Sequence, residues 1–175
     1  LVGDEVYLFT ETEHLRRVLS VFGHNEDSAK NIVIVGGGNI GLNLAQMIID
    51  ETPNINIKII EQDATRAVYL SEKLDNKAIV LSGDALNEQI FAQANIEHSD
   101  ALITVTNDDE ANILSSLIAK KQGCQRVLTL IGNDIYTDLI SSLDIDVQVS
   151  PKAATVSKIM QFIRKGSIRN IHSLK

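Results

Sequence analysis

The sequence predicts an α/β fold, a doubly wound parallel β-sheet with helices on both faces. Three observations lead there. Six short segments rich in Val, Ile and Leu recur along the chain, helix-length stretches separate them, and the first of the six runs straight into a glycine-rich turn. Strands that are apolar on both sides suit a parallel sheet covered by helices above and below. Regular alternation of strand and helix implies right-handed crossovers.

The first strand is read at 32–35, Ile-Val-Ile-Val, an unbroken aliphatic run. The others are read at 57–60, 78–81, 101–106, 127–131 and 146–149. Helices are expected at 40–50, 65–74, 86–94, 108–122 and 133–143. Leu44, Met47 and Ile48 in the first, and Ile113, Leu117 and Lys120 in the fourth, follow helical spacing. Residues 31–49 carry no formal charge over 19 positions, close to the length of a bilayer span, but only 11 of them are apolar and Gly36-Gly37-Gly38 sits in the middle of the run. A strand, a turn and a helix explain it better.

Two end pieces stand apart. Residues 4–22 read as a strand followed by a helix with Leu15, Val18, Leu19 and Phe22 on one face, and the polar run at 23–28 marks a boundary. At the other end Pro151 can open a helix. Val156, Ile159, Met160 and Ile163 then fall at i, i+3, i+4 and i+7. Because the sheet is complete before it, this stripe is expected to cover a second domain or another subunit; packing back onto the sheet is the competing reading.

Composition narrows the function. With 44% apolar and 22% charged residues the chain is of ordinary globular type, long enough to bury a core. The single cysteine, Cys124, cannot form an internal disulfide, which fits a reducing compartment. The start lacks the features of a signal peptide and has no initiator Met, as a piece of a longer protein would. The net charge of −7 is uneven. Residues 151–175 hold six basic side chains and no acid, against ten basic and 23 acidic in the rest. An acidic body argues against nucleic acid as a partner. The basic end reads as a solvated helix face or as a contact for an anionic partner.

The chemistry concentrates at the glycine-rich turn. Gly36, Gly38 and Gly41 fit G-x-G-x-x-G, between an aliphatic strand and an amphipathic helix. The first glycine allows the tight turn, the second lets a pyrophosphate approach the backbone, and the third lets helix and strand pack closely, so the fold is expected to be Rossmann-like. The helix N-terminus at Asn39 and Ile40 offers unpaired N–H groups to phosphates. Glu61 ends the second strand 20 residues beyond Gly41, where a carboxylate can accept from ribose hydroxyls and would repel a 2′-phosphate, favouring NAD over NADP. Plain packing glycines are the simpler alternative.

Other residues are expected around the crevice at the carboxyl ends of the strands. Gly83, Asp84 and Ala85 follow the third strand, beside the adenine or its ribose; Val105, Thr106 and Asn107 end the fourth. Asn107 with Glu110 also forms a capping-box pattern, and Asp108, Asp109 and Glu110 suit the positive end of a helix. Arg66 is read as leaning over the adenine, pairing with Glu61, or as a plain surface residue. No P-loop is present, and His14, His24, His98 and His172 show no metal spacing. Tyr69 and Lys73 match a Tyr-x-x-x-Lys dehydrogenase spacing, but they follow the second strand, on the adenosine side. With no acid, base or nucleophile placed to use a cofactor, sensing is favoured over catalysis.

Residues 33–41, then Ile59-Ile60-Glu61-Gln62-Asp63 with Arg66, then Gly83-Asp84-Ala85, then 105–113, together resemble the nucleotide-binding lobe of RCK domains. Ser150-Pro151 through Arg164-Lys165-Gly166 to Asn170-Ile171-His172-Ser173 resembles that family's crossover helix, and Gly3-Asp4-Glu5-Val6 with His14-Leu15-Arg16-Arg17-Val18 the end of a C-terminal lobe. The resemblance implies three parts: a short N-terminal piece of a preceding C-lobe with its linker (1–27), an NAD-binding lobe (28–150), and a C-terminal crossover helix leading to a second C-lobe (151–175). Some members place a basic residue where Asn39 stands, so here the backbone amides are left to hold phosphates.

What the resemblance implies is a regulatory subunit, not an enzyme, cytoplasmic and peripheral on the inner face of the cell membrane. It would bind NAD or NADH, alternatively ATP or ADP. Its partner would be a membrane potassium channel or transporter subunit, gated by a homo-oligomeric ring joined through crossover helices. The alternative is a fragment of an NAD-dependent oxidoreductase lacking its catalytic domain. A third reading is a lobe fused to an antiporter.

Overall fold

Alternate residues of the first aliphatic run face opposite sides, and both sides are covered. In a computed structural model that describes Val21 and residues 29–163, β1 (Asn31–Val35) lies inside a six-stranded sheet. Ile32 and Ile34 join one hydrophobic cluster, Val33 and Val35 the other. The strand is therefore buried on both faces, which is why it carries no polar alternation.

The remaining elements follow in strict alternation. They are α1 (Asn39–Glu51), β2 (Asn56–Glu61), α2 (Ala64–Lys73), β3 (Ile79–Ser82), α3 (Glu88–Ala94) and β4 (Ala101–Thr104), then α4 (Asp109–Lys121), β5 (Val127–Leu130), α5 (Thr137–Ile140), β6 (Val147–Val149) and α6 (Pro151–Ile163). Short 3-10 turns precede β4 and α5. The strand order is β3-β2-β1-β4-β5-β6, with every pairing parallel. This is the doubly wound Rossmann-like order, whose direction reverses between β1 and β4.

Ala45 of α1 and Leu70 of α2 pack with Ile32, Ile34, Ile57 and Ile59 on one face. Phe91 and Ala94 of α3 and Ala119 of α4 pack with Val33, Val35, Ile60 and Leu102 on the other. A smaller cluster joins Ile113, Ile131 and Ile140 beneath α5. Buried hydroxyls of Thr104, Ser116 and Thr129 satisfy one another in a chain, so α4 seats on β4 and β5 without an orphaned polar group.

One expectation changes, and one competing reading drops out. The helix read at 133–143 is a 3-10 turn followed by one turn of α-helix. The Ser141 and Ser142 hydroxyls donate to the carbonyls of Asp138 and Leu139, and such local bonds compete with helix propagation. The stripe on α6 does not pack back onto the sheet: Val156, Ile159, Met160 and Ile163 are all exposed. The strand and helix read at 4–22, the boundary at 23–28 and the basic stretch beyond residue 163 lie outside the described residues.

Candidate functional site

The turn leaving β1 is held from three directions. Gly36 adopts φ +102°, a conformation that L side chains rarely take, and a β-carbon there would come within 2.9 Å of the Thr106 amide nitrogen. Its own N–H donates to Ile60 O. Gly37 is held at both of its backbone polar groups: its N–H donates to Glu61 Oε2 at 2.7 Å, and its carbonyl accepts from Arg66 Nε at 2.9 Å. Gly41 lies beneath, so close that a β-carbon would stand 1.9 Å from the Gly36 oxygen.

Gly38 differs from its neighbours. A β-carbon built there meets nothing within 4 Å. Gly38 is also the N-cap of α1, with no side chain bonded to the first N–H groups and no acid in the first turn. Helices α2, α3 and α4 are capped by Asp63, Asn87 and Asp108. The first N–H groups of a helix have no partner within it. At α1 they face an opening, with the positive end of the helix dipole behind them.

Two more walls complete the opening. At the end of β2, Glu61 is fixed by its bond from Gly37 and by Asp63 N–H donating to Oε1 at 2.9 Å. Each carboxylate oxygen keeps a second lone pair for a further donor. Beside it, Gly83 N–H donates to Glu61 O, and Asp84 Oδ1 accepts from Leu86 N–H. On the opposite side, Thr106 is held by Asn112, whose Oδ1 accepts from both the Thr106 N–H and its hydroxyl.

These walls bound a cleft of about 660 Å³ over the carboxyl ends of the strands. Of the expected residues, Gly36, Gly38, Asn39, Ile40, Glu61, Gly83, Asp84, Ala85, Val105, Thr106 and Asn107 line it. Gly41 does not, being buried under the turn, and neither does Arg66, which neither leans into the cleft nor pairs with Glu61. Its guanidinium bonds the glycine turn and lies 4.8 Å from the Tyr69 ring centroid. Gln62, Asp108, Ala111, Ser115 and Leu130 also line the cleft and were missed. Ala111 and Ser115 follow Asn107 at i+4 and i+8, so helical spacing from the expected site pointed to them.

The charge of the lining is one-sided. Glu61, Asp84 and Asp108 contribute acids, and among the described residues no Lys or Arg lines the cleft. An anion there is left to the amides of the α1 N-terminus. The residues fit a nucleotide on that ground: free N–H groups, an open glycine, and a carboxylate where a ribose diol would sit.

Residues 32–151 match the family described as TrkA-N domain. The chain belongs to that family. It is similar to the Trk system potassium uptake protein TrkA of Azorhizobium caulinodans, at 43% identity over 172 residues, or 98% of this chain and 37% of that protein. The chain thus spans little more than a third of that relative. Among solved structures it is similar to the TrkA-N domain of the inner membrane protein ybaL from Escherichia coli, with TM-score 0.67 and 21% identity over 79% of this chain and 99% of that one. It is also similar to a GsuK channel bound to NAD, with TM-score 0.62 and 14% identity over 83% of this chain and 27% of that one.

Several sequence-level readings are settled by the geometry of this TrkA-N domain. The cap of α4 is Asp108, whose Oδ1 accepts from Ala111 N–H, not Asn107. The expected capping box is displaced because the Thr106 hydroxyl accepts the Asp108 N–H and sets the cap one residue later. Asp109 instead accepts from the N–H groups of Gly132 and Asn133, both at 2.8 Å. Glu110 bonds the Tyr136 hydroxyl and thereby raises its pKa. Tyr69 and Lys73 lie outside the cleft. Cys124 is buried, and burial pushes its thiol pKa up, away from a reactive thiolate. Among the described residues no helix is long and apolar enough to cross a membrane, and no group of His, Cys, Asp and Glu is placed to hold a metal.

Proposed function

We propose that this chain is the nucleotide-binding part of a regulator of potassium uptake, and that NAD or NADH occupies the cleft. The observation that carries the reading is the uncapped N-terminus of α1, opening at Gly38 onto a cleft whose far wall is Glu61. The pyrophosphate rests on the amides of Gly38, Asn39 and Ile40. Glu61 accepts from the adenosine ribose. Gly83, Asp84 and Ala85 flank the adenine, and Val105, Thr106 and Asn107 meet the second nucleotide half. Gly41 and Arg66 act from behind, holding the turn. A NAD-bound channel and potassium uptake proteins among the similar proteins support the reading. ATP or ADP is the second candidate, since the same amides and carboxylate serve any adenosine phosphate.

In this reading the chain works on the cytoplasmic face of a membrane potassium transporter, as one unit of a ring. Residues 1–27 end a preceding lobe, 28–150 form the nucleotide lobe, and α6 begins the crossover helix of residues 151–175 through which subunits pair. Ligand moves such a ring only by its difference in affinity between two ring states. The role is regulatory, not catalytic.

Calorimetric titration with NAD, NADH, ATP and ADP tests the reading directly. Saturable binding is expected, without hydride transfer to or from aldehydes, 2-hydroxy acids or quinones. Turnover by the full chain would favour the oxidoreductase alternative, and absence of binding by all four nucleotides would remove the site.

A further inference from the structure

One side chain near the cleft is wholly buried, fully bonded and outside the lining itself. Asn112 of α4 accepts at Oδ1 from the Thr106 N–H (3.0 Å) and hydroxyl (2.7 Å), and donates from Nδ2 to Thr106 O (3.2 Å) and Leu130 O (3.0 Å). A primary amide has two acceptor sites and two donors, and here all four are used. The bonds tie the loop after β4 to the last residue of β5. Thr106 and Leu130 both line the cleft, on the same side as Ala111 and Ser115 from the helix that carries Asn112. The adenosine side, built by Glu61, Gln62 and Gly83, receives no bond from Asn112.

A doubly wound sheet divides its crevice into two mononucleotide halves. We infer that Asn112 is a positioning residue for the second half, so that it sets the preference of the cleft for a dinucleotide over a mononucleotide. Removing its amide frees Thr106 and Leu130 to shift and leaves their backbone groups without buried partners, while the Gly38 and Glu61 walls stay in place. The inference rests on the nucleotide reading of the cleft.

The test compares NAD with AMP by calorimetry on the full chain. Asn112→Ala is expected to weaken NAD about tenfold or more, the equivalent of one or two lost hydrogen bonds, and to leave AMP within about twofold on the same scale. Should that variant not fold, Thr106→Val decides by the same ratio: it removes the hydroxyl bonds to Asn112 and Asp108 and leaves Asn112 its bonds to the Thr106 backbone and Leu130. Unchanged NAD affinity in a folded variant overturns the inference, and so does an equal loss of both nucleotides. If the unsubstituted chain binds neither NAD nor AMP, the reading of the cleft itself falls, and this inference with it.

Discussion

A methyl group added at position 38 would enter open space, whereas one at position 41 would collide with the Gly36 carbonyl. The two glycines of one motif are therefore separable by experiment. Gly38→Val is expected to abolish nucleotide binding while the circular dichroism spectrum stays native, because only the ligand's volume is taken. Gly41→Ala is expected to lower stability by about 1–3 kcal/mol or more, as overpacking does, measured by urea unfolding without ligand. Equal stability of the two variants would refute the division of roles. Glu61 works on both accounts, since it holds the Gly37 amide as well as facing the cleft. Glu61→Ala is expected to cost about 1–3 kcal/mol of NAD affinity, the range for hydrogen bonds to a charged group. Glu61→Gln keeps an acceptor for the amide and should fall between. Calorimetric affinities equal to wild type would take Glu61 out of the site.

At the scale of the element, what the sequence revealed and what it hid have physical reasons. The buried strands were legible because burial on both faces leaves only aliphatic residues, as in Ile32 to Val35. The glycine turn was legible because its steric demands are written as missing side chains. Arg66 is left open by the sequence because its position is compatible with a ligand contact, an ion pair or a plain surface role, and only the fold shows its Nε turned to Gly37 O. Asn112 went unremarked because it serves backbone groups that are distant until β4 and β5 are adjacent. Helix α6 is the opposite case: its stripe was plain in the sequence, and its structure carries no buried residue at all. Met160 is 37% exposed and Ile163 71%, far from the burial that apolar residues in an amphipathic helix seek. We expect Ile159→Glu with Met160→Glu to halve the solution mass seen by light scattering, with nucleotide affinity retained. An unaltered mass would take α6 out of any pairing of subunits.

At the scale of the whole molecule, one ionic joint ties the second half of the sheet together. Asp146, just before β6, accepts from Lys120 Nζ at the end of α4 at 2.7 and 2.8 Å, and from the Val127 N–H at the start of β5 at 2.7 Å. Lys120 also donates to Gln125 O. One carboxylate thus ties α4, β5 and β6 together beneath the cleft-bearing end. Burial alone would raise its pKa, but the bonds from Lys120 and Val127, with the nearby charges of Lys120 and Arg126, outweigh it and hold the pKa below the usual carboxylate value. A carboxylate depressed by folding adds stability above its unfolded pKa, near 3.9, and that contribution is lost as pH falls through the folded value. Asp146→Asn should therefore lose about 1–2 kcal/mol at pH 7, where a charge-assisted bond becomes a neutral one. The gap between the two proteins should begin to close below about pH 4 and vanish only once the pH falls beneath the lowered native pKa, where the wild-type group protonates. Urea unfolding across that pH range measures the gap. A gap that stays constant into acid would show that the joint holds by shape and not by charge, and the sheet's acid sensitivity would then have to arise elsewhere among its carboxylates.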